Sequence, residues 1–375
     1  ELDFWGRFQR SIEAADAAYL SSIANQRDAQ VILVAQVADH YYAYRTTEKR
    51  IAIAHENAAI QERSFSITTQ LFESGQESEL DLQQATTQYL ATLATIPDHE
   101  RSRTQLRTQL RNALAVILGR PPAPLPELAT SLELLPTVAP ASLTAIPANL
   151  VLRRPDVRSS AWLTGAQSAQ IGIAEADLYP AISLGGSFGW AGDSISATRD
   201  GTTFAVGPGI RWNIFDWGLI RSNIQVQDAR LQQALAAYDS TVLQAAREID
   251  DAAIAVAKPA EAQELLTESR EAAERAWEIA NRRYREGYAD FQRVLDAQRA
   301  LFSQAEKELV NQGAHLSAVV ALYKSIGGGW ESQATEQMLP TDVLETMRER
   351  TNWGDLLEVE VPVDLENANS EGSNP

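Results

Sequence analysis

The chain has 375 residues, no cysteine and a formal net charge of −18. Without cysteine there is no disulfide framework, no thiolate metal site and no cysteine nucleophile, and the acidic balance disfavours nucleic acid, whose phosphates would be repelled. No run of 18 apolar residues occurs, so no membrane-spanning helix is expected, while a β-barrel stays open because its signal per segment is far weaker. His40, His55, His99 and His315 are scattered without ligand spacing and read as helix-face residues, so neither a metal nor a cofactor is expected. The chain starts at Glu1 with neither an initiator Met nor a charged-then-apolar leader, which reads as a fragment or a processed form.

Residues 1–6 read as the end of a first β-hairpin. From Arg7 to Ser74 the chain then runs 68 residues without Gly or Pro. An unbroken helix of that length is roughly 100 Å long, a span rather than a core element. Val34, Val37, Tyr41, Tyr44 and Ile51 follow coiled-coil spacing, as do Phe8, Ile12, Ala15, Tyr19 and Ile23 nearer the start, and both sets are expected to be buried.

Gly75 interrupts this run, and helical pattern resumes from Glu79 to Leu118, broken at Pro97. The stretch 7–118 is therefore a helical hairpin with its tip near Gly75, closed by Gly119 and a Pro-rich crossing segment over 119–150. The region 151–178 holds a helix opened by Pro155 and Asp156 and reaching Ala176, with Arg153 and Arg154 as parts of its start. Over 179–217 the period changes to two: Ile182, Leu184, Phe188 and Trp190, then Phe204, Val206, Ile210, Trp212 and Ile214, alternate with small or polar residues around a polar connection. Two strands of about ten residues form a hairpin long enough to cross a bilayer when tilted. Tyr179, Trp190, Trp212, Phe215 and Trp217 fall toward its ends, as membrane-interface aromatics do. On periodicity alone a soluble sheet edge is an equal alternative. Helical pattern returns over 218–326, broken at Pro259 and turning near Gly287, and 327–375 is an acidic tail read as largely loose.

The halves match at an offset of 212: Gly6 with Gly218, Asp39 with Asp251, Gly75 with Gly287, Ala85 with Ala297. Near the ends the offset becomes 208, placing Gly119 on Gly327. A repeated module of strand end, long helix, Gly tip, return helix and Gly stop is an internal duplication. Neither half encloses a membrane barrel, whose smallest form has eight strands. Several copies around an axis solve this, giving a short membrane barrel that continues into a helical tube.

The stretches ELDFWGR at 1–7, IPANLVLRRPDV at 146–157, YPAISLGGSFGW at 179–190, PGIRWNIFDWG at 208–218, YREGYADFQRVLDAQ at 284–298 and ALYKSIGGGW at 321–330 together resemble the outer membrane factors of bacterial tripartite efflux pumps, the TolC-like and especially NodT-like proteins. The resemblance implies a mainly α fold with a homotrimeric 12-stranded outer-membrane β-barrel and a 12-helix periplasmic tunnel. It also implies outer-membrane lipid around the barrel, a periplasmic membrane-fusion adaptor and an inner-membrane RND-type pump as partners, and no catalysis. Many members carry a lipidated N-terminal Cys; this chain has no Cys.

By that resemblance the Gly75 and Gly287 turns, with Phe72 and Tyr284 three residues before each, are the adaptor-docking tips. Asp296 matches a carboxylate projected into the closed tunnel end, where three copies would form a ring attractive to cations. The companion acidic position is Arg293 here, available to pair with Asp296 at i, i+3. Asp81 matches a position that holds the aperture shut against the tyrosine at Tyr284. A duct for secreted protein and a soluble coiled-coil scaffold are the competing readings.

Overall fold

In a computed structural model of the chain, the structure describes residues 1–126, 135–136, 148–190, 202–330 and 339–353. The elements are α1 (Arg7–Glu73), α2 (Glu79–Ile117), α3 (Ala148–Arg153), α4 (Pro155–Ala176), β1 (Ala181–Trp190), β2 (Thr202–Arg211), α5 (Leu219–Arg285), α6 (Phe291–Ser325) and α7 (Thr341–Arg350). The duplication is carried through to the backbone: α1 and α5 are both 67 residues long, and each end of α5 lies 212 positions after its counterpart. α6 likewise begins 212 positions after α2 and ends 208 positions after it.

The chain divides into two compact units. Glu1–Asp28, Ala148–Ala246 and Glu331–Pro375 form one; Ala29–Pro147 and Arg247–Trp330 form the other.

In the first unit β1 and β2 pair antiparallel from Ala181↔Arg211 to Trp190↔Thr202, and Leu2 bridges to Ile182 on the other edge of β1. Within residues 1–6 the pairing with the hairpin is this isolated bridge at Leu2. β2 stops at Arg211, so Trp212 and Ile214, expected to continue the alternation, lie in the turn that leads into α5. The reason is the helix start that follows, where Asp216 accepts from Gly218 N at 3.1 Å and Ile220 N at 2.7 Å and so draws the chain away from the ladder. Asp3 does the same for α1, accepting from Gln9 N at 3.0 Å. These amide bonds to the ionised form hold both carboxyls below the ordinary value of 3.8.

The helix expected from Pro155 to Ala176 is α4, to the residue. Its start is fixed by Arg154, which grips Asp156 with two bonds, Nε to Oδ1 at 3.0 Å and Nη2 to Oδ2 at 2.7 Å. The seam expected at the start of α1 holds at Ile23, which is buried, and is corrected nearer the start, where Ala15 is exposed as well. Ile12 is 61% exposed and Phe8 45%, while Ala14, Ala17, Ser21 and Ala24 are buried. Ser21 Oγ meets Ser159 Oγ of α4 at 2.9 Å, an approach that small residues permit and large ones prevent.

In the second unit four long helical segments pack through small apolar clusters. Tyr44 and Leu110 with Val37, Tyr41 and Leu114 join α1 to α2; Ala252, Val256, Ala318 and Leu322 join α5 to α6. Ion pairs tie the same helices: Arg50 to Glu306 at 2.5 Å, and Arg270 to Glu308 at 2.7 Å. Val34, expected in the seam, is 49% exposed. Pro97 and Pro259, expected to interrupt their helices, lie inside α2 and α5. A proline costs about 3 kcal/mol in a helix interior, and packing on both sides offsets it here. Ile96 is buried against Ala54 and Ala58, and Asn311 Nδ2 donates to the Pro259 carbonyl at 2.9 Å.

Two further elements escaped the sequence reading. α3 falls at the end of the stretch read as crossing segment, and α7, with Leu344 buried, lies in the tail read as loose. The greater part of the Pro-rich crossing, the connection between β1 and β2, and the end of the tail lie outside the described residues.

Candidate functional site

The helix ends at the two tips are built alike. Gly75 and Gly287 take φ of 73° and 76°, a conformation in which a Cβ is strained. After α1, Gly75 N bonds Phe72 O and Gln76 N bonds Leu71 O; after α5, Gly287 N bonds Tyr284 O and Tyr288 N bonds Arg283 O. This is the double C-cap that ends a helix while satisfying its last carbonyls. Gly119 and Gly327 repeat it after α2 and α6.

The residues before the two tips have different surroundings. Phe72 is partly exposed at the end of α1. Its counterpart Tyr284 packs against the cluster of Ala85, Phe291, Val294 and Leu295, with the Phe291 ring centroid at 5.4 Å. The Tyr284 hydroxyl donates to Glu77 Oε1 at 3.0 Å. Burial and then the Glu77 carboxylate push the phenol pKa up to about 12. Tyr284 makes its direct hydrogen bond with Glu77 and not with Asp81, which belongs to the start of α2. Ser78 Oγ donates to Asp81 Oδ2 at 2.5 Å and accepts from Asp81 N at 3.2 Å. Asp81 acts on the phenol only through its field. Nothing in the sequence pattern separates Glu77 from the other acids of this turn.

Asp296 lies on the exposed side of α6, its side chain 60% exposed, accepting from Gln292 Nε2 at 3.0 Å. The expected partner Arg293 is exposed, and the ion pair forms instead with Arg299, at 3.7 Å. Helical side chains lean toward the N-terminus, so an arginine one turn after the carboxylate reaches back to it while one before leans away. Arg299 also donates from Nε to Gln88 Oε1 of α2 at 2.6 Å.

In the first unit the register sorts the strand pair into two faces. Ile182, Leu184, Phe188, Phe204, Val206 and Ile210 share one; Ser183, Gly185, Ser187, Gly189, Thr203, Ala205, Gly207 and Gly209 share the other. The apolar face is bare, with Leu184, Phe188, Phe204 and Ile210 all at least 66% exposed. Near its end Tyr179 stacks on Trp5 at 4.6 Å, and two indoles donate to carbonyls of the α4–β1 link: Trp5 Nε1 to Pro180 O at 2.9 Å and Trp212 Nε1 to Leu178 O at 3.0 Å. Phe215 and Trp217 stand fully out from the turn, Trp217 at a φ of 51°. Trp190 ends β1, and its side chain lies outside the described residues. Trp5 was missed in the sequence, although the Trp-Gly pair at 5–6 recurs at 217–218. Among the described residues no helix is long and apolar enough to cross a membrane.

A ten-residue strand pair with one bare apolar face, flanked by aromatics and lying in the sequence between two long helical hairpins, is the pattern of an outer-membrane channel chain. The family described as outer membrane efflux protein matches residues 1–116 and 146–328. Outer membrane protein OprJ of Pseudomonas aeruginosa is 32% identical over 342 residues, covering 88% of this chain and 68% of OprJ. The toluene efflux pump outer membrane protein TtgF of Pseudomonas putida is 31% identical, covering 90% of this chain and 69% of its own. Among solved structures, the outer-membrane channel OprN superposes with a TM-score of 0.81 at 33% identity, covering 88% of this chain and 74% of OprN. The open state of the MtrE outer membrane channel of Neisseria gonorrhoeae gives 0.76 at 28%, covering 88% and 73%. The chain belongs to the outer membrane efflux protein family, and it is an outer-membrane channel component of an efflux system.

Proposed function

We propose that three copies of this chain form a passive exit duct for small molecules, reached through a periplasmic adaptor from an inner-membrane pump. The observation that carries this is the strand pair: its apolar face has no cover within the described chain and suits lipid, while the opposite face of Ser, Gly, Ala and Thr suits water. A single pair cannot close a barrel, so the edges of the hairpin call for neighbours. Similarity to a toluene efflux pump component favours small-molecule export over protein secretion.

In this reading residues 179–217 serve the membrane barrel, with Tyr179, Trp190, Trp212, Phe215 and Trp217 at its interface. The hairpins 7–118 and 218–326 serve a periplasmic tunnel. Phe72, Gly75, Tyr284 and Gly287 form the tips that an adaptor meets, and Asp296 sits at the tunnel-end constriction with its charge moderated by Arg299. Tyr284, Glu77 and Asp81 hold the aperture side of the tip. The work of transport lies in the pump, and the duct contributes a path.

Conductance of detergent-purified full-length trimers in planar bilayers tests the reading. Discrete, long-lived ionic steps are expected. A folded trimer that never conducts, or a chain that stays monomeric in detergent and lipid, overturns it.

A further inference from the structure

The strand pair carries a single charged residue in its sequence, Arg211, at the last position of β2. Its register partner is Ala181, which places it in the row of Ser183, Gly185, Gly207 and Gly209, opposite to the row of Ile182, Leu184, Val206 and Ile210. Besides Arg211 that row holds only small side chains, and their hydroxyls lie close to the sheet: a Cβ on Gly209 would meet Ser183 Oγ at 2.9 Å, and one on Gly189 would meet Thr203 Oγ1 at 3.0 Å. Nothing along it but Arg211 therefore projects far from the sheet.

Resting on the duct reading above, we propose that Arg211 is a selectivity residue, lining the end of the barrel lumen nearest the helices and favouring anionic over cationic solutes there. If the apolar row faces lipid, the row of Arg211 faces the lumen, and three copies set three guanidiniums around it. Arg211 also lines a cavity of about 450 Å³ with Glu1, Asp3, Arg7 and Asp177. Asp177 pairs with Arg7 at 3.3 Å, while Asp3, which accepts from the amide of Gln9, keeps its charge. Glu1 is the remaining acid of that cavity. A ring of fixed, always ionised cations over a wall of hydroxyls and glycines attracts anions and repels cations. Arg211 thus shifts the barrel end toward anions, against Asp3 and Glu1 beside it and in the opposite sense to Asp296 in the tunnel.

These 375 residues hold no cysteine, so Arg211→Cys introduces the one thiol among them. Full-length Arg211→Cys trimers are inserted in planar bilayers under a KCl gradient, and the chloride-to-potassium permeability ratio is read before and after a water-soluble thiosulfonate reagent. Relative to wild type, the substitution is expected to lower the ratio several-fold. A cationic reagent is expected to restore it and an anionic one to lower it further. The differences are expected to fade from low to high salt as screening shortens from about 30 Å at 0.01 M to about 3 Å at 1 M. Arg211→Lys, which keeps the charge, is expected to keep the ratio. Conducting trimers whose ratio ignores both the substitution and the reagents overturn the role of Arg211 and leave the duct standing. A wild-type trimer that never conducts overturns both.

Discussion

Tyr284 of α5 and Glu77 of the turn before α2 meet at 3.0 Å, the phenol donating to the carboxylate. The contact links the two helical hairpins next to the tips, where one side of the tyrosine is packed and its hydroxyl reaches a charge. Removing the hydroxyl with Tyr284→Phe keeps the ring on Phe291 and gives up only the bond. For a half-buried donor the expected loss is about 1.5 kcal/mol, the lower end for bonds to charged groups. The functional readout is conductance, expected to rise or to fluctuate more in Tyr284→Phe and in Glu77→Gln. Unchanged conductance in both would separate this bond from the aperture.

The pH dependence of the same pair has a definite sign. The folded phenol pKa is raised from 10.0 to about 12, so folding favours the protonated form. The contribution is full below pH 10 and is lost as pH rises toward 12. The phenolate absorbance assigned to Tyr284, obtained by subtracting the Tyr284→Phe titration, is expected near the upper value.

Asp216 has the opposite sign. Its folded pKa lies below 3.8, set first by the amide of Ile220, so its contribution to the start of α5 is present above 3.8 and is lost as pH falls through the folded value. Thermal denaturation followed from neutral to acid pH should show wild type losing its advantage over Asp216→Ala in the acid range. Parallel curves would contradict it.

The tip glycines offer a backbone test. Gly75→Ala and Gly287→Ala each force a Cβ into a positive φ with no neighbour within 4 Å to blame. Each is expected to cost about 1 kcal/mol from conformation alone, read as a lowered Tm. A reduced affinity for the adaptor beyond that loss would support the docking role of the tips.

Asp296→Asn is expected to reduce the preference for cations at the tunnel end, and Arg299→Ala to increase it by freeing the carboxylate. Both groups are about half or more exposed, so stability should change by no more than about 0.5 kcal/mol. Reversal potentials in a salt gradient check both, and equal values in all three proteins would remove Asp296 from the ion path.

Element type and order were legible because they rest on local chemistry repeated twice. Gly at 6, 75, 119, 218, 287 and 327 marks the starts of α1 and α5 and the ends of all four long helices, each with positive φ, and the offsets of 212 and 208 reappear as helix ends. The alternation over 181–190 and 202–211 declared a strand pair because side chains point to opposite faces at a period of two. Less local questions were misjudged. Proline at 97 and 259 predicts a break by its intrinsic cost, which packing along two very long helices outweighs.

The sequence by itself determined the module, its duplication, the two faces of the hairpin and the positions of the tips, since each follows from spacing along one strand or helix. Only the tertiary structure decided which apolar stripe of α1 is covered, that Glu77 rather than Asp81 accepts the Tyr284 hydrogen bond, and that Arg299 rather than Arg293 reaches Asp296. The physical reason is that these depend on which face another helix approaches and on the direction in which side chains lean, and neither is encoded in the spacing of a single segment.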